Sequence, residues 1–310
     1  MDTSQPIVVL GPTASGKSDV AMAIAAADPT VELVAADSMQ VYREMDIGTA
    51  KPSAHDRARV RHHCIDLVDP SEDFTVTRFA EAAEDALASI TARGGRAVLV
   101  AGTGLYLRAV TDPMDIPGQW LEIREVLAER LAAGGVGPLH DLLVELDPLA
   151  ASRIDPANDR RIVRALEVTL GAGRPFSSFG AGVAVHPEIA FTMIGLRWPR
   201  PLLAERIAVR VQRMVAAGLL DEVARLATRP GGWSRTARQA LGYKELLEHL
   251  DGAASLDEAV EATITRTRQF AVRQERWFRR DPRIRWVDLH DDPVGEVLGA
   301  LDEPSAGNRP

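Results

Sequence analysis

The stretch Gly11-Pro12-Thr13-Ala14-Ser15-Gly16-Lys17-Ser18 fits the spacing G-x-x-x-x-G-K-[ST] of a phosphate cradle. The glycines let successive backbone N–H groups turn inward, and a helix starting behind them adds its positive N-terminal end. Lys17 supplies a point charge for phosphate oxygens, and the Ser18 hydroxyl is a hard ligand suited to Mg²⁺. The motif specifies a phosphate without naming the molecule that carries it. A nucleotide hydrolase usually places an aspartate at the end of a second buried strand, but the run RAVLVAGTG ends without a carboxylate. Asp37, after the run VELVAA, is the only aspartate in a comparable position. A small-molecule kinase therefore stays open only with Asp37 as metal ligand or base.

Asp37 opens the segment DSMQVYREMDIGTAKP. Ligands of open α/β sheets sit off the carboxyl ends of the strands. That rule sets Asp37, Ser38, Met39 and Gln40 beside the phosphate loop, with Thr103 of AGTGLY arriving from another strand end. An Asp-Ser pair after a strand also serves as a helix N-cap, and Thr103 could be a turn hydroxyl. Their agreement on one crevice favours chemistry. His62, His63 and Cys64 are neighbours in sequence, and a strand sends neighbours to alternate faces, so they do not form a zinc site.

The elements that must hold these residues can be read from periodicity. Ile7–Leu10, Val31–Ala36 and Ala97–Val100 are short apolar runs of the kind buried in parallel sheets. Cys64–Val68, Ile189–Leu196 and Ile284–Leu289 are weaker strand candidates. Helical patterns lie between them, including Ser18–Ala27 and the face formed by Phe79, Ala83, Ala86, Leu87 and Ile90. The alternation implies an α/β fold: a P-loop-type doubly wound parallel sheet core. The rhythm breaks at the turn-rich TDPMDIPGQW. LEIREVLAERLAA, LHDLLVELDPLAASRI and NDRRIVRALEVTL then read as helices, closed by GAGRPFSSFGAG. We expect residues 1–112 and 189–302 to form the core, 113–188 an inserted all-helical lobe, and 303–310 a disordered tail. The last long helix should start at a capping box of Ser255 and Glu258 and run to about Arg280.

Composition narrows the class of protein. With 46% apolar and 26% charged residues in 310, the chain is that of an ordinary globular protein, with no signal region and no membrane-length apolar run. A single cysteine excludes an internal disulfide and suits a reducing cytoplasm. The net charge of −8 speaks against nonspecific polyanion binding. Yet Arg160, Arg161 and Arg164 cluster, and eight arginines between Arg266 and Arg285 face only Glu275 and Asp281. These clusters are solvated helix faces or contacts to a confined anion such as RNA.

GPTASGKS, DSMQVYREMDIGTAKP, AGTGLYLRAV, NDRRIVRALEV, ARQALGYKE and TRQFAVRQERWFRR occur in this order. Together they closely resemble the bacterial tRNA dimethylallyltransferase (tRNA isopentenyltransferase) family, from Val8 to about Asp288. Ala101 stands where that family often has glycine, and Ser18 where threonine is usual. The resemblance implies transfer of a five-carbon prenyl group from dimethylallyl diphosphate to the exocyclic amine of the adenosine 3′ of the anticodon. Asp37 would be the general base, with Lys17 and Thr103 at the reacting centre. Gly11 to Ser18 and Arg210 would hold the diphosphate, with Arg206 as the rival to Arg210, and Ser18 would carry Mg²⁺. The anticodon stem-loop of tRNA would meet Asp37, Ser38, Met39, Gln40, Thr103, Arg124, Arg160, Arg161, Ile162, Val163, Arg164, Gln239, Gly242, Lys244, Arg273 and Gln274. Gln40 would read the edge of the flipped base. In the last helix, Trp277 and Phe278 read as core packing. A monomer with no membrane partner is expected. The alternatives are the kinase, which would consume ATP without tRNA, and a noncatalytic RNA binder with a degenerate loop.

Overall fold

The computed structural model describes residues 5–180, 182 and 185–302; the expected tail at 303–310 lies outside the described residues. The chain runs through β1 (Ile7–Leu10), α1 (Lys17–Ala27), β2 (Val31–Ala36), α2 (Ala54–Arg59), β3 (His62–His63), α3 (Val76–Ala92), β4 (Arg96–Ala101) and α4 (Gly104–Thr111). Four helices follow: α5 (Leu121–Gly134), α6 (Gly137–Leu146), α7 (Pro148–Arg153) and α8 (Asp159–Ala172). The pattern then resumes with β5 (Thr192–Arg197), α9 (Arg200–Ala216), α10 (Leu219–Ala227), α11 (Arg235–Arg238), α12 (Tyr243–Leu250), α13 (Leu256–Phe278), β6 (Arg285–Asp288) and α14 (Pro293–Asp302). By contacts the chain divides into two units, Asp112–Pro187 and the remainder.

The larger unit is built on a six-stranded parallel sheet of order β3-β2-β4-β1-β5-β6. Parallel strands need crossover helices, which cover both faces, so the strands must be apolar on both. Alternation along β1 shows the consequence. Val8 and Leu10 join a core with Phe79 and Ile90 of α3, while Ile7 and Val9 join a core with Val20 and Ile24 of α1. Ser255 caps α13 in the expected box, accepting from Glu258 N while Glu258 accepts from Ser255 N.

Three expectations need correction. The strand expected at Cys64–Val68 instead pairs at His62–His63, because Cys64 and Asp66 adopt φ of 61° and 55° and turn the chain away. Cys64 is buried in that turn, and burial pushes its thiol up to about 12. The fifth strand begins at Thr192, not at Ile189. The stretch expected as one helix over LHDLLVELDPLAASRI is two, since Pro148 cannot donate into a continuing helix and Asp147 caps the second by accepting from Ala150 N.

The smaller unit, Asp112–Pro187, has its own core of Leu127, Leu139, Leu143, Ile162 and Leu166. At its side lies Glu167, with 0% of its side chain exposed, accepting from Arg124 at 2.8 Å, Arg164 at 2.8 Å and the backbone N–H of Trp120 at 2.9 Å. Burial alone would raise its pKa, but these donors outweigh it and the net shift is downward. Its contribution is therefore present above the ordinary carboxylate pKa and is lost as pH falls through the lowered one. Glu167→Ala leaves two half-buried guanidinium groups without their partner. It should destabilise the smaller unit by about 3 kcal/mol, read as an earlier transition in denaturant monitored at Trp120.

Candidate active site

Strand register assembles the site. Leu10 pairs with Ala101, and Ala36 pairs with the same Ala101, so β1, β2 and β4 end level. Gly11, Asp37 and Gly102 therefore leave the sheet side by side. Gly102 and Thr103 both donate their N–H groups to Ala36 O, at 3.3 and 3.2 Å, which ties the β4 exit to the β2 exit.

The phosphate loop closes over the N-terminus of α1. Gly16 stands there with φ of 93°, a conformation that disfavours a side chain. Lys17 Nζ donates to Pro12 O at 2.8 Å, across the mouth of the loop. From outside, Trp198 Nε1 donates to Ser15 O at 3.0 Å and Arg206 Nε to Ala14 O at 2.9 Å. The Arg206 guanidinium also lies 4.3 Å from the Trp198 ring centre. Arg206 thus braces the loop, whereas Arg210, one turn further along α9, lines the cavity with Lys17 and Asp37. Burial first, and then the Arg210 charge, push Lys17 down to about 7, with Asp37 pulling the other way. Burial also lowers Arg210.

Asp37 divides its two oxygens. Oδ1 accepts from Met39 N at 2.8 Å and Gln40 N at 3.3 Å, so the N-cap-like reading of Asp-Ser holds for that atom. Oδ2 lies over Gly102, where an added Cβ would sit 3.3 Å from it. Thr103 Oγ1 accepts from Ser38 N at 3.3 Å and donates to Ser38 Oγ at 3.4 Å.

These groups stand at the polar end of a cavity of about 360 Å³. Ile207, Val211 and Met214 of α9 give an apolar wall; Thr263, Thr267 and Phe270 of α13 give a mixed one. Both sets recur at helical spacing, so each presents one face. A second recess of about 930 Å³ shares Lys17, Ser18, Gln40 and Arg210 with the first, so these residues are reached from two sides.

A family model described as IPP transferase matches residues 40–281, and a second, isopentenyl transferase, matches residues 5–70. A protein of Kineococcus radiotolerans named tRNA dimethylallyltransferase is 46% identical over 96% of this chain and 95% of its own. This chain belongs to the IPP transferase family. It is an enzyme of the kind named tRNA dimethylallyltransferase. Among solved structures, the tRNA isopentenylpyrophosphate transferase of Bacillus halodurans is 37% identical with a TM-score of 0.68, covering 96% of this chain and 94% of that one. A eukaryotic dimethylallyltransferase described as acting on tRNA is 26% identical with a TM-score of 0.77, covering 93% of this chain and 75% of that one.

Within this IPP transferase the residues expected at the RNA are unevenly disposed. Ser38, Met39, Gln40, Gln239, Gly242 and Arg273 line the cavity. Arg273 lies 5.8 Å from the Phe270 ring centre. Lys244 faces Glu248 at 3.9 Å. Arg160 and Arg161 are exposed on α8. Ile162 is wholly buried and Val163 packs beside it, so Ile162 is a core side chain and not an RNA contact. Arg124 and Arg164 are engaged by Glu167, and Arg164 also donates to Pro117 O. Gln40, expected to offer its amide to a base, spends its amide nitrogen on Thr49 O and Ala50 O. Trp277 and Phe278 pack with the core, as their apolar reading required, and Trp277 crosses close over Gly104.

Gln274 is the largest departure. It is 7% exposed, with Oε1 accepting from Thr13 N at 2.9 Å and Nε2 donating to Gly102 O at 2.7 Å. It is a strut between the phosphate loop and the β4 exit, with both amide atoms engaged, and it also borders the cavity. Sequence reading passed over this strut and the Trp198 brace because their partners lie 261 and 183 residues away.

The donor set bears on the expected Mg²⁺. No cluster of three His, Cys, Asp or Glu side chains suited to a metal exists among the described residues. Ser18 borders both recesses. A hydroxyl at that place suits an ion completed by substrate phosphates and water.

Two outcomes follow from this geometry. A diphosphate needs Lys17 charged, while the free protein holds it near neutral above pH 7, so binding takes up a proton and weakens as pH rises. The apparent Kd for inorganic diphosphate should rise on the order of tenfold between pH 7 and pH 9 by calorimetry, once corrected for the ligand's own ionisation. Lys17→Arg should flatten that profile. Gln274→Ala leaves the Thr13 N–H and the Gly102 carbonyl without partners. It should cost about 1–3 kcal/mol of stability in denaturant unfolding and weaken diphosphate binding with it.

Proposed function

We propose that this enzyme transfers the dimethylallyl group of dimethylallyl diphosphate to the exocyclic amine of the adenosine 3′ of the anticodon in tRNA. The observation that carries this reading is the meeting of Asp37, Lys17, Ser18 and Arg210 in one cavity with the apolar face of α9. One end suits a polyanion; the walls suit a five-carbon chain; the carboxylate suits a proton.

An adenine amine is a weak nucleophile because its lone pair is delocalised into the ring. In the step proposed, the amine nitrogen forms a bond to C1 of the allyl group. The C1–O bond breaks and diphosphate leaves with the electron pair. The nitrogen's proton passes to Asp37 Oδ2, the atom not committed to the backbone. Such base assistance typically contributes about 10²–10⁴-fold. Lys17, Arg210 and the loop N–H groups would stabilise the leaving oxygens. Mg²⁺, held by Ser18, would supply further charge neutralisation there. Thr103 would keep the Ser38 backbone in place beside the reacting amine. The two recesses that meet at Lys17 and Arg210 give separate approaches for the diphosphate and the base, which must leave its stack to enter.

The relatives' names support the tRNA substrate, and the phosphate loop supports a diphosphate donor. Incubating undermodified tRNA with dimethylallyl diphosphate should yield a prenylated adenosine by nucleoside mass analysis. Asp37→Asn keeps Oδ1 for the two backbone N–H groups and removes the base. It should lower kcat by about 10²–10⁴-fold and leave tRNA affinity nearly unchanged. Wild-type turnover by that variant would remove Asp37 from the chemistry.

A further inference from the structure

Glu222 of α10 is 4% exposed and lies outside every motif discussed above. Its carboxylate accepts from four neutral donors. Oε2 takes Asp46 N at 3.1 Å and Ile47 N at 2.9 Å; Oε1 takes Gly48 N at 3.2 Å and the Tyr243 hydroxyl at 2.6 Å. A buried carboxylate held by three successive backbone N–H groups fixes that turn strongly, since charge-assisted bonds exceed neutral ones. The hydroxyl of Tyr243 locks the carboxylate from behind, and an added Cβ on Gly48 would run into the Tyr243 ring.

The turn holds the next two residues. Ala50 N donates to Ile47 O at 3.0 Å, and Lys51 N to Asp46 O at 3.0 Å. Lys51 Nζ pairs with Asp46 at 2.9 Å and Asp66 at 2.6 Å. Ala50 has φ of 49°, a left-handed conformation that costs energy for a residue with a Cβ and persists only where the surroundings impose it. The carbonyls so placed, Thr49 O and Ala50 O, receive the Gln40 amide nitrogen at 3.1 and 3.3 Å. With its amide nitrogen turned onto these two carbonyls, the amide has Oε1 as the atom left for a ligand in the cavity. Gln40 follows Asp37 on the same segment, donates its backbone N–H to Asp37 Oδ1, and lines the same cavity.

We propose that Glu222 is a positioning residue for acceptor-base choice. By anchoring the Asp46–Gly48 turn it fixes Gln40 with its oxygen as the available atom, an acceptor that selects a base bearing an amino group. This rests on the proposed function and deepens it. Of the two N–H bonds of an adenine amine, one goes to Asp37 and the other is held by Gln40 Oε1. A base with a carbonyl at that place would set oxygen against oxygen.

The test is binding of an anticodon hairpin carrying adenosine, purine riboside or inosine at the acceptor position. Wild type should prefer adenosine by about tenfold or more, since both analogues lack the amine that Asp37 and Gln40 Oε1 would hold. In Glu222→Gln the preference should fall at least about fivefold, the share of the Gln40 contact, with affinity for inorganic diphosphate unchanged within about twofold. Gly48→Ala displaces the same turn with Glu222 intact and should reproduce this; it decides the matter alone if Glu222→Gln does not fold. Retention of the preference in both variants overturns the proposal. So does a wild type without preference, or a parallel loss of diphosphate affinity, which would mark a merely structural role. Prenylation of the adenosine hairpin by wild type, scored separately, shows whether the proposed function stands regardless.

Discussion

The site depends on the level ending of three parallel strands. Because Leu10, Ala36 and Ala101 share one register, the phosphate loop, Asp37 and Gly102–Thr103 emerge side by side. A slip of one residue in β4 would turn its side chains to the opposite faces and carry Gly102 away from Ala36 O. Gln274 then bolts the assembly across its open side, joining Thr13 N to Gly102 O from α13. The spacing between the phosphate loop and Asp37 is thus set by backbone on one side and a single buried amide on the other.

Around that frame the charges are arranged so that occupancy and electrostatics are linked. Lys17 and Arg210 share one cavity with Asp37, and burial weakens the hold of Lys17 on its proton. A polyanion entering there reverses the balance, since it stabilises both cations at once. The braces stand outside this circle: Arg206 and Trp198 spend their donors on loop carbonyls. Two arginines one turn apart therefore have different work, because only the first meets Ala14 O.

What could be read from the sequence was local. The loop motif, the aspartate after β2, the Ser255 cap and the apolar runs of β1, β2 and β4 are each defined by residues within a few positions of one another. The unread part was carried by distant partners. Arg124 read as an RNA contact because its partner Glu167 lies 43 residues away; Arg164 has the same carboxylate three residues along α8, but only the fold shows that Glu167 is buried there. Ile162 sits among arginines, yet the helical face it occupies turns inward to Leu127 and Leu166. β3 moved because positive φ at Cys64 and Asp66 is a property of the folded turn that non-glycine residues do not advertise.

That turn has a chemical consequence. Cys64 is the sole cysteine of the chain, and its environment holds the sulfur as a thiol across the physiological range. A thiol that does not ionise is a poor nucleophile toward peroxide, disulfides and maleimides. Burial also keeps reagents from the sulfur, so the native protein should react slowly with them, and a cysteine introduced on exposed Arg160 of α8 would be the fast labelling point.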